Sequence, residues 1–126
     1  MKKLIAAALL LSSSAIAPIV HSEDGVLEFW KCALKEGKTA ADAKAVNAKW
    51  LKLQNGANPG ANIRSWGLTS VVGETGSFGY MDAFPSLEAW AKSRATIATP
   101  AGAAIEAELN AVADCSMNRL FEATEH

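Results

Sequence analysis

Four stretches of the sequence place charged side chains among aromatic ones at two-residue spacing: Glu28, Trp30 and Cys32; Arg64, Trp66 and Leu68; Phe78, Tyr80, Asp82 and Phe84; and Met117, Arg119 and Phe121. In an extended chain alternate residues share a face, so each set presents rings with a cation or a carboxylate between them. Brought onto one face, Trp30, Trp66 and Tyr80 offer stacking surface. Arg64 and Arg119 offer positive charge, and Asp82 and Glu28 negative charge. Such a mixture suits a cavity for a small aromatic or anionic ligand. The competing reading makes the rings core or dimer contacts and the charges pairs at strand ends. Strand register decides between the two, and alternation alone does not supply it.

Several other chemistries are closed to this chain. Its two histidines are His21, near the start, and His126, the last residue. A serine or cysteine nucleophile activated by histidine therefore has no base, and the usual His/Cys zinc set cannot be assembled. No acidic loop has the spacing of a calcium site, and no motif implies a cofactor. Gly37, Lys38 and Thr39 resemble the end of a phosphate loop, but the position that needs its first glycine is Cys32. Gly37 reads instead as a turn residue, Lys38 as a solvated charge and Thr39 as a helix cap.

The elements that must carry the aromatic and charged sets are legible from periodicity. Residues 25–34 are apolar on both alternating sets and form a strand buried on two faces. Thr39, with Asp42 three residues on, starts a helix by a capping-box pattern. Its apolar positions Ala43, Val46, Trp50 and Leu53 lie on one face, and Asn55-Gly56 supplies a stop. Asn47 falls on that apolar face, either as a satisfied buried amide or as a site residue. Residues 63–73 and 78–84 form a hairpin, and Ser86 caps a second helix that "TPAG" interrupts before Ile105, Leu109 and Val112 resume the stripe. A last strand follows from Cys115.

The order β-α-β-β-α-β is the split βαβ, ferredoxin-like arrangement: an α+β fold whose four-stranded antiparallel sheet has its helices on one face. There the last strand runs antiparallel beside the first, which brings Cys32 at the end of one to Cys115 at the start of the other. A disulfide between them is the expected state in an oxidising compartment; the alternative is two buried thiols.

The compartment is read from the N-terminus. Met1-Lys2-Lys3, the apolar run "LIAAALLL" and the small residues up to Ser22 have the form of a secretory signal peptide cut before Glu23. The competing reading, an uncleaved anchor, needs about 20 apolar residues, and this run is much shorter. Residues 1–22 are thus expected to be a leader and residues 23–126 a single domain of an exported, periplasmic or secreted protein. Lys2 and Lys3 account for two of the 12 basic residues, so residues 23–126 carry ten against 13 acidic ones, a formal charge of −3. That balance argues against nucleic acid as a partner. Without a basic amphipathic helix, stable membrane association after cleavage is not expected either.

The element order, the broken second helix and the phrase "FGYMDAFPSLEAWAKS", an aromatic strand running into a Pro-Ser-capped helix with Trp90, resemble the dimeric α/β-barrel superfamily, which includes antibiotic-biosynthesis monooxygenase-like domains. The resemblance implies two sheets paired face to face in a homodimer and an enclosed cavity for small ligands. Haem-degrading relatives use an Asn-Trp-His constellation, and this chain lacks the histidine. Two functions follow as expectations. The first is a binding or interaction module in which Arg64 and Arg119 supply charge and Trp30, Trp66 and Tyr80 stacking. The second is a cofactor-independent monooxygenase-like enzyme in which Tyr80, Trp66 and Asn47 orient the substrate. The homodimer is expected through the sheet face the helices leave uncovered, because both alternating sets carry large apolar residues and one must find cover.

Overall fold

The structure, a computed structural model, describes residues 24–124. The expected leader and its cleavage site lie outside the described residues, as does His126. The elements run β1 (Asp24–Leu34), α1 (Ala40–Ala57), β2 (Arg64–Thr69), β3 (Phe78–Phe84), α2 (Leu87–Ile97), α3 (Pro100–Val112) and β4 (Ala113–Thr124). The sheet order is β2-β3-β1-β4, with every neighbouring pair antiparallel. This is the ferredoxin-like α+β arrangement expected from the element order.

Local chemistry explains the boundaries. Gly37, at φ 73°, takes the left-handed turn between β1 and α1. The Thr39 hydroxyl then accepts from the Asp42 N–H while the Asp42 carboxylate accepts from the Thr39 N–H, a reciprocal capping box. The second helix is broken as expected. Thr99 caps α3 and Pro100 sits at its first position, where its missing N–H costs nothing. β2 is shorter than the apolar composition of residues 63–73 predicts. As an edge strand it pairs with β3 alone and stops at Thr69, leaving Val71 and Val72 exposed in a loop shaped by the positive-φ Gly73 and Gly76. In the other direction β4 starts two residues before Cys115, because Ala113 and Asp114 pair with Leu34 and Ala33.

Two apolar clusters fill the space between the sheet and the helices. One joins Cys32, Phe78 and Tyr80 to Ala43 and Val46 of α1 and Val112 of α3. The other joins Val26 and Phe84 to Trp50, Ile63 and Ala89. β1, expected to be buried on two faces, is buried only on the helix-covered one, through Val26, Glu28 and Cys32, because no element of the described chain covers the other. On its open face Leu27 and Phe29 are half-buried. Phe29 covers Gly79, where an added Cβ would stand 3.3 Å from the ring and 2.5 Å from the Trp30 carbonyl oxygen.

A disulfide joins Cys32 to Cys115. The β1/β4 register slips there: Lys31 pairs with Met117 but Cys32 with Cys115, so Ser116 is an extra residue in β4. This bulge reverses the alternation of β4. Cys115 shares the helix-covered face with Cys32, whereas Met117, Arg119 and Phe121 point to the other.

Candidate functional site

The registers sort the predicted site residues into two groups. Across the helix-covered face, one row reads Ser65, Asp82, Glu28, Leu120 and the next Gly67, Tyr80, Trp30, Asn118, from β2 to β4. Across the open face the row between them reads Trp66, Met81, Phe29, Arg119. Trp30, Tyr80 and Asp82 therefore come together beneath the helices, and Asn47 of α1 joins them from above. Arg64, Trp66 and Arg119 do not. They stand on the uncovered face, where the Arg64 guanidinium lies 5.4 Å from the centre of the Trp66 ring. The register, which alternation alone left open, thus divides the strand residues between the two faces of the sheet. The parity of β2 is set by its register with β3, and that of β4 by the bulge at Ser116.

The row carrying Asp82 and Glu28 interrupts the apolar surface between the two core clusters. It forms part of the wall of a cavity of about 120 Å³. Trp30, Trp50 and Tyr80 supply ring surface, and Arg94 of α2 and Glu106 of α3 also line it. Glu28 and Asp82 are 3% and 5% exposed, so two carboxylates are buried side by side. Each has partial compensation. Glu28 accepts a hydrogen bond from the Asn118 side-chain amide at 2.8 Å, and the Arg94 guanidinium approaches it to 3.9 Å. Asn47 donates to the Ser65 hydroxyl at 2.8 Å, and that hydroxyl donates to Asp82. Asn47 is thus both a satisfied amide and a wall of the cavity.

Electrostatics follow from burial. Desolvation pushes the Asp82 carboxyl up to about 7; the Ser65 hydrogen bond pulls it down, neighbouring Glu28 adds to the rise, and Arg94 opposes it. Burial, with Asp82 nearby, also raises the Tyr80 phenol. Tyr80 is 7% exposed and its hydroxyl, like Gln54 Oε1 and Trp90 Nε1, has no hydrogen-bond partner among the described residues. A buried hydroxyl on a cavity wall without a partner is uncommon and costly.

Glu28 was visible in the sequence as part of the strand set but not as a principal site residue. Ser65, Trp50 and Arg94 were missed. Trp50 carried the signature of a core helix residue, and in this fold the same helix face also roofs the cavity. Nothing in the alternation of β2 marks Ser65, and nothing in the period of α2 marks Arg94.

No protein-family model matches the sequence, and no curated protein matches it. Solved structures do. SnoaB from Streptomyces nogalater, described as a cofactor-independent oxygenase, superposes with a TM-score of 0.60 at 18% identity, over 82% of this chain and 96% of that one. A NIPSNAP family protein of unknown function from Agrobacterium tumefaciens superposes at 0.59 with 20% identity, over 82% of this chain and 92% of its own. A dimeric ferredoxin-like protein of unknown function from Thermobifida fusca gives 0.50 at 12% identity, over 85% and 96%. At these identities the likeness is one of fold alone, and it agrees with the strand order and antiparallel pairing described above: the chain has a ferredoxin-like α+β fold.

Proposed function

We propose that this protein is an exported, homodimeric small-molecule-binding module whose site is the cavity between the sheet and its helices. The observation that carries the reading is the Tyr80 hydroxyl, buried on the cavity wall without a partner among the described residues, beside a carboxyl held near neutrality. A core evolved only for stability has little use for such a group, since an apolar ring of the same shape would avoid the desolvation cost. The leader-like residues 1–22 and the Cys32–Cys115 disulfide support export. The uncovered sheet face, with Trp66, Leu68 and Phe121 partly exposed, supports pairing with a second copy.

A second reading is cofactor-independent oxygenation. It is favoured by Asp82, whose carboxyl titrates near neutral pH and so suits a base that takes a proton from a bound substrate. Fold likeness to an oxygenase adds to it. On this reading Tyr80 and Asn47 would orient the substrate, and the role first given to Trp66 passes to Trp30 or Trp50 in the cavity.

Native mass spectrometry of the protein purified from its own host compartment tests the first reading. A dimer carrying a retained small molecule is the expected species. A ligand-free monomer would remove both the module and its assembly.

A further inference from the structure

We infer that the cavity recognises a small organic cation, a protonated primary amine on an apolar or aromatic body, with Glu28, Asp82 and Tyr80 as its acceptors. The inference rests on the small-molecule reading above and narrows its ligand to one chemical class, opposite in charge to the anion suggested by Arg64 and Arg119.

The geometry is that of a site built for a cation. Glu28, Asp82 and Glu106 line the cavity against one base, Arg94. Arg64 and Arg119, the residues that would favour an anion, are on the other side of the sheet. Glu28 and Asp82 face each other across the β1/β3 ladder, and like charges so placed repel. One monocation between them would remove the repulsion and restore part of the lost solvation at once.

Three independent features agree. The Tyr80 hydroxyl, buried and unpartnered, has a lone pair to offer an ammonium N–H. Asp82 takes the Ser65 hydroxyl on Oδ1 and has no protein donor on Oδ2 among the described residues. The Trp30 ring already hosts a cation: the Arg94 guanidinium lies 5.8 Å from its centre, yet reaches Glu28 only at 3.9 Å, beyond hydrogen-bond range. Arg94 is a partial occupant from the rim, and beneath it Glu28 has the Asn118 amide and Asp82 the Ser65 hydroxyl as their only side-chain donors among the described residues. Engineered apolar cavities of about 150 Å³ accept a benzene ring, and the cavity here, about 120 Å³ and open at the rim, is of that scale.

The charged and titratable groups around Asp82 are Glu28 on β1, Tyr80 on β3, Arg94 on α2 and Glu106 on α3, with Lys44 of α1 at the neighbouring groove beside β2. Arg94 and Glu106 are of opposite sign and more exposed, so ionisation of Asp82 sets the charge available to a ligand. Asp82 titrates at about 7, so cation affinity should rise about tenfold between about pH 6 and about pH 8 as the ionised fraction grows.

The test is calorimetric titration of the disulfide-bonded protein with three probes of matched shape: benzylamine, benzyl alcohol and benzoate. Benzylamine is expected to bind, about tenfold or more tighter than benzyl alcohol, with the stated pH dependence and with benzoate silent. Asp82→Asn and Glu28→Gln, each nearly isosteric, should weaken benzylamine while leaving benzyl alcohol unchanged. Binding of benzyl alcohol or benzoate in preference to benzylamine overturns the cation class but leaves a small-molecule cavity standing. Benzylamine binding that neither variant weakens overturns the site assignment. No binding of any of the three overturns the inference, and the retained-ligand measurement then judges the broader reading separately.

Discussion

Glu28 and Asp82 stand directly opposite each other on β1 and β3, and both side chains are buried on the face of the sheet that the helices cover. Two carboxylates so placed repel when both are ionised, and Asn118, Ser65 and Arg94 offset only part of that cost.

Proton linkage at Asp82 makes folding pH-dependent. Its carboxyl titrates at about 7 in the folded protein against 3.8 ordinarily, so between those values the folded state binds more protons than the unfolded one. Stability is therefore highest below the window and falls as pH rises from about 4 to about 7, by at most about 4 kcal/mol from this group. Thermal melts at about pH 5 and about pH 8 should show the fall in the unmodified protein and little of it in Asp82→Asn. Ser65→Ala, which removes the hydrogen bond that lowers Asp82, should move the window upward.

The Cys32–Cys115 bridge spans 83 residues. Closing so long a loop stabilises the folded state by about 4.5 kcal/mol in the chain-entropy model, less any native strain. Mass analysis without reductant should find the protein two hydrogens lighter than its dithiol form, and reduction should lower the melting temperature. Two thiols that alkylate freely before reduction would contradict the bridge.

Thr39 and Lys38 adjoin each other but contribute differently. Thr39→Ala removes the hydroxyl that accepts from the Asp42 N–H, leaving only the backbone half of the capping box, and should cost about 1 kcal/mol in chemical denaturation. Lys38→Ala, at an exposed position, should change stability by less than about 0.5 kcal/mol. Appreciable ATP binding that Lys38→Ala abolishes would restore the phosphate-loop reading rejected from the sequence.

The open sheet face is the proposed dimer surface, and Trp66, 43% exposed, stands at one end of its row with Met81, Phe29 and Arg119. Trp66→Glu should give a folded monomer by light scattering at about 50 μM, since a charge carried into an apolar interface is costly to desolvate. A protein that is monomeric before the substitution, or a dimer that survives it, would place the interface elsewhere.

What the sequence determined by itself is whatever depends on near neighbours along the chain. Thr39 and Asp42 make a cap within one turn, "TPAG" breaks the second helix because a proline ring cannot continue one, and the aromatic and aliphatic composition of residues 25–34 and 78–84 between turn residues favours strands. The order of those elements, with one cysteine at each end of the set, was enough to bring Cys32 to Cys115. What only the tertiary structure decided is which side of the sheet each side chain occupies. A one-residue slip between strands exchanges the two faces without altering local preference. Ser65 rather than Trp66 therefore faces Asp82 through the β2/β3 register, and one extra residue at Ser116 turns Arg119 away from the cavity while keeping Cys115 beside it. The pairing of Glu28 with Asp82 is of the same kind. Neither carboxylate announces the other across 53 intervening residues, because their encounter depends on the hydrogen-bond ladder between β1 and β3, which no local signal encodes.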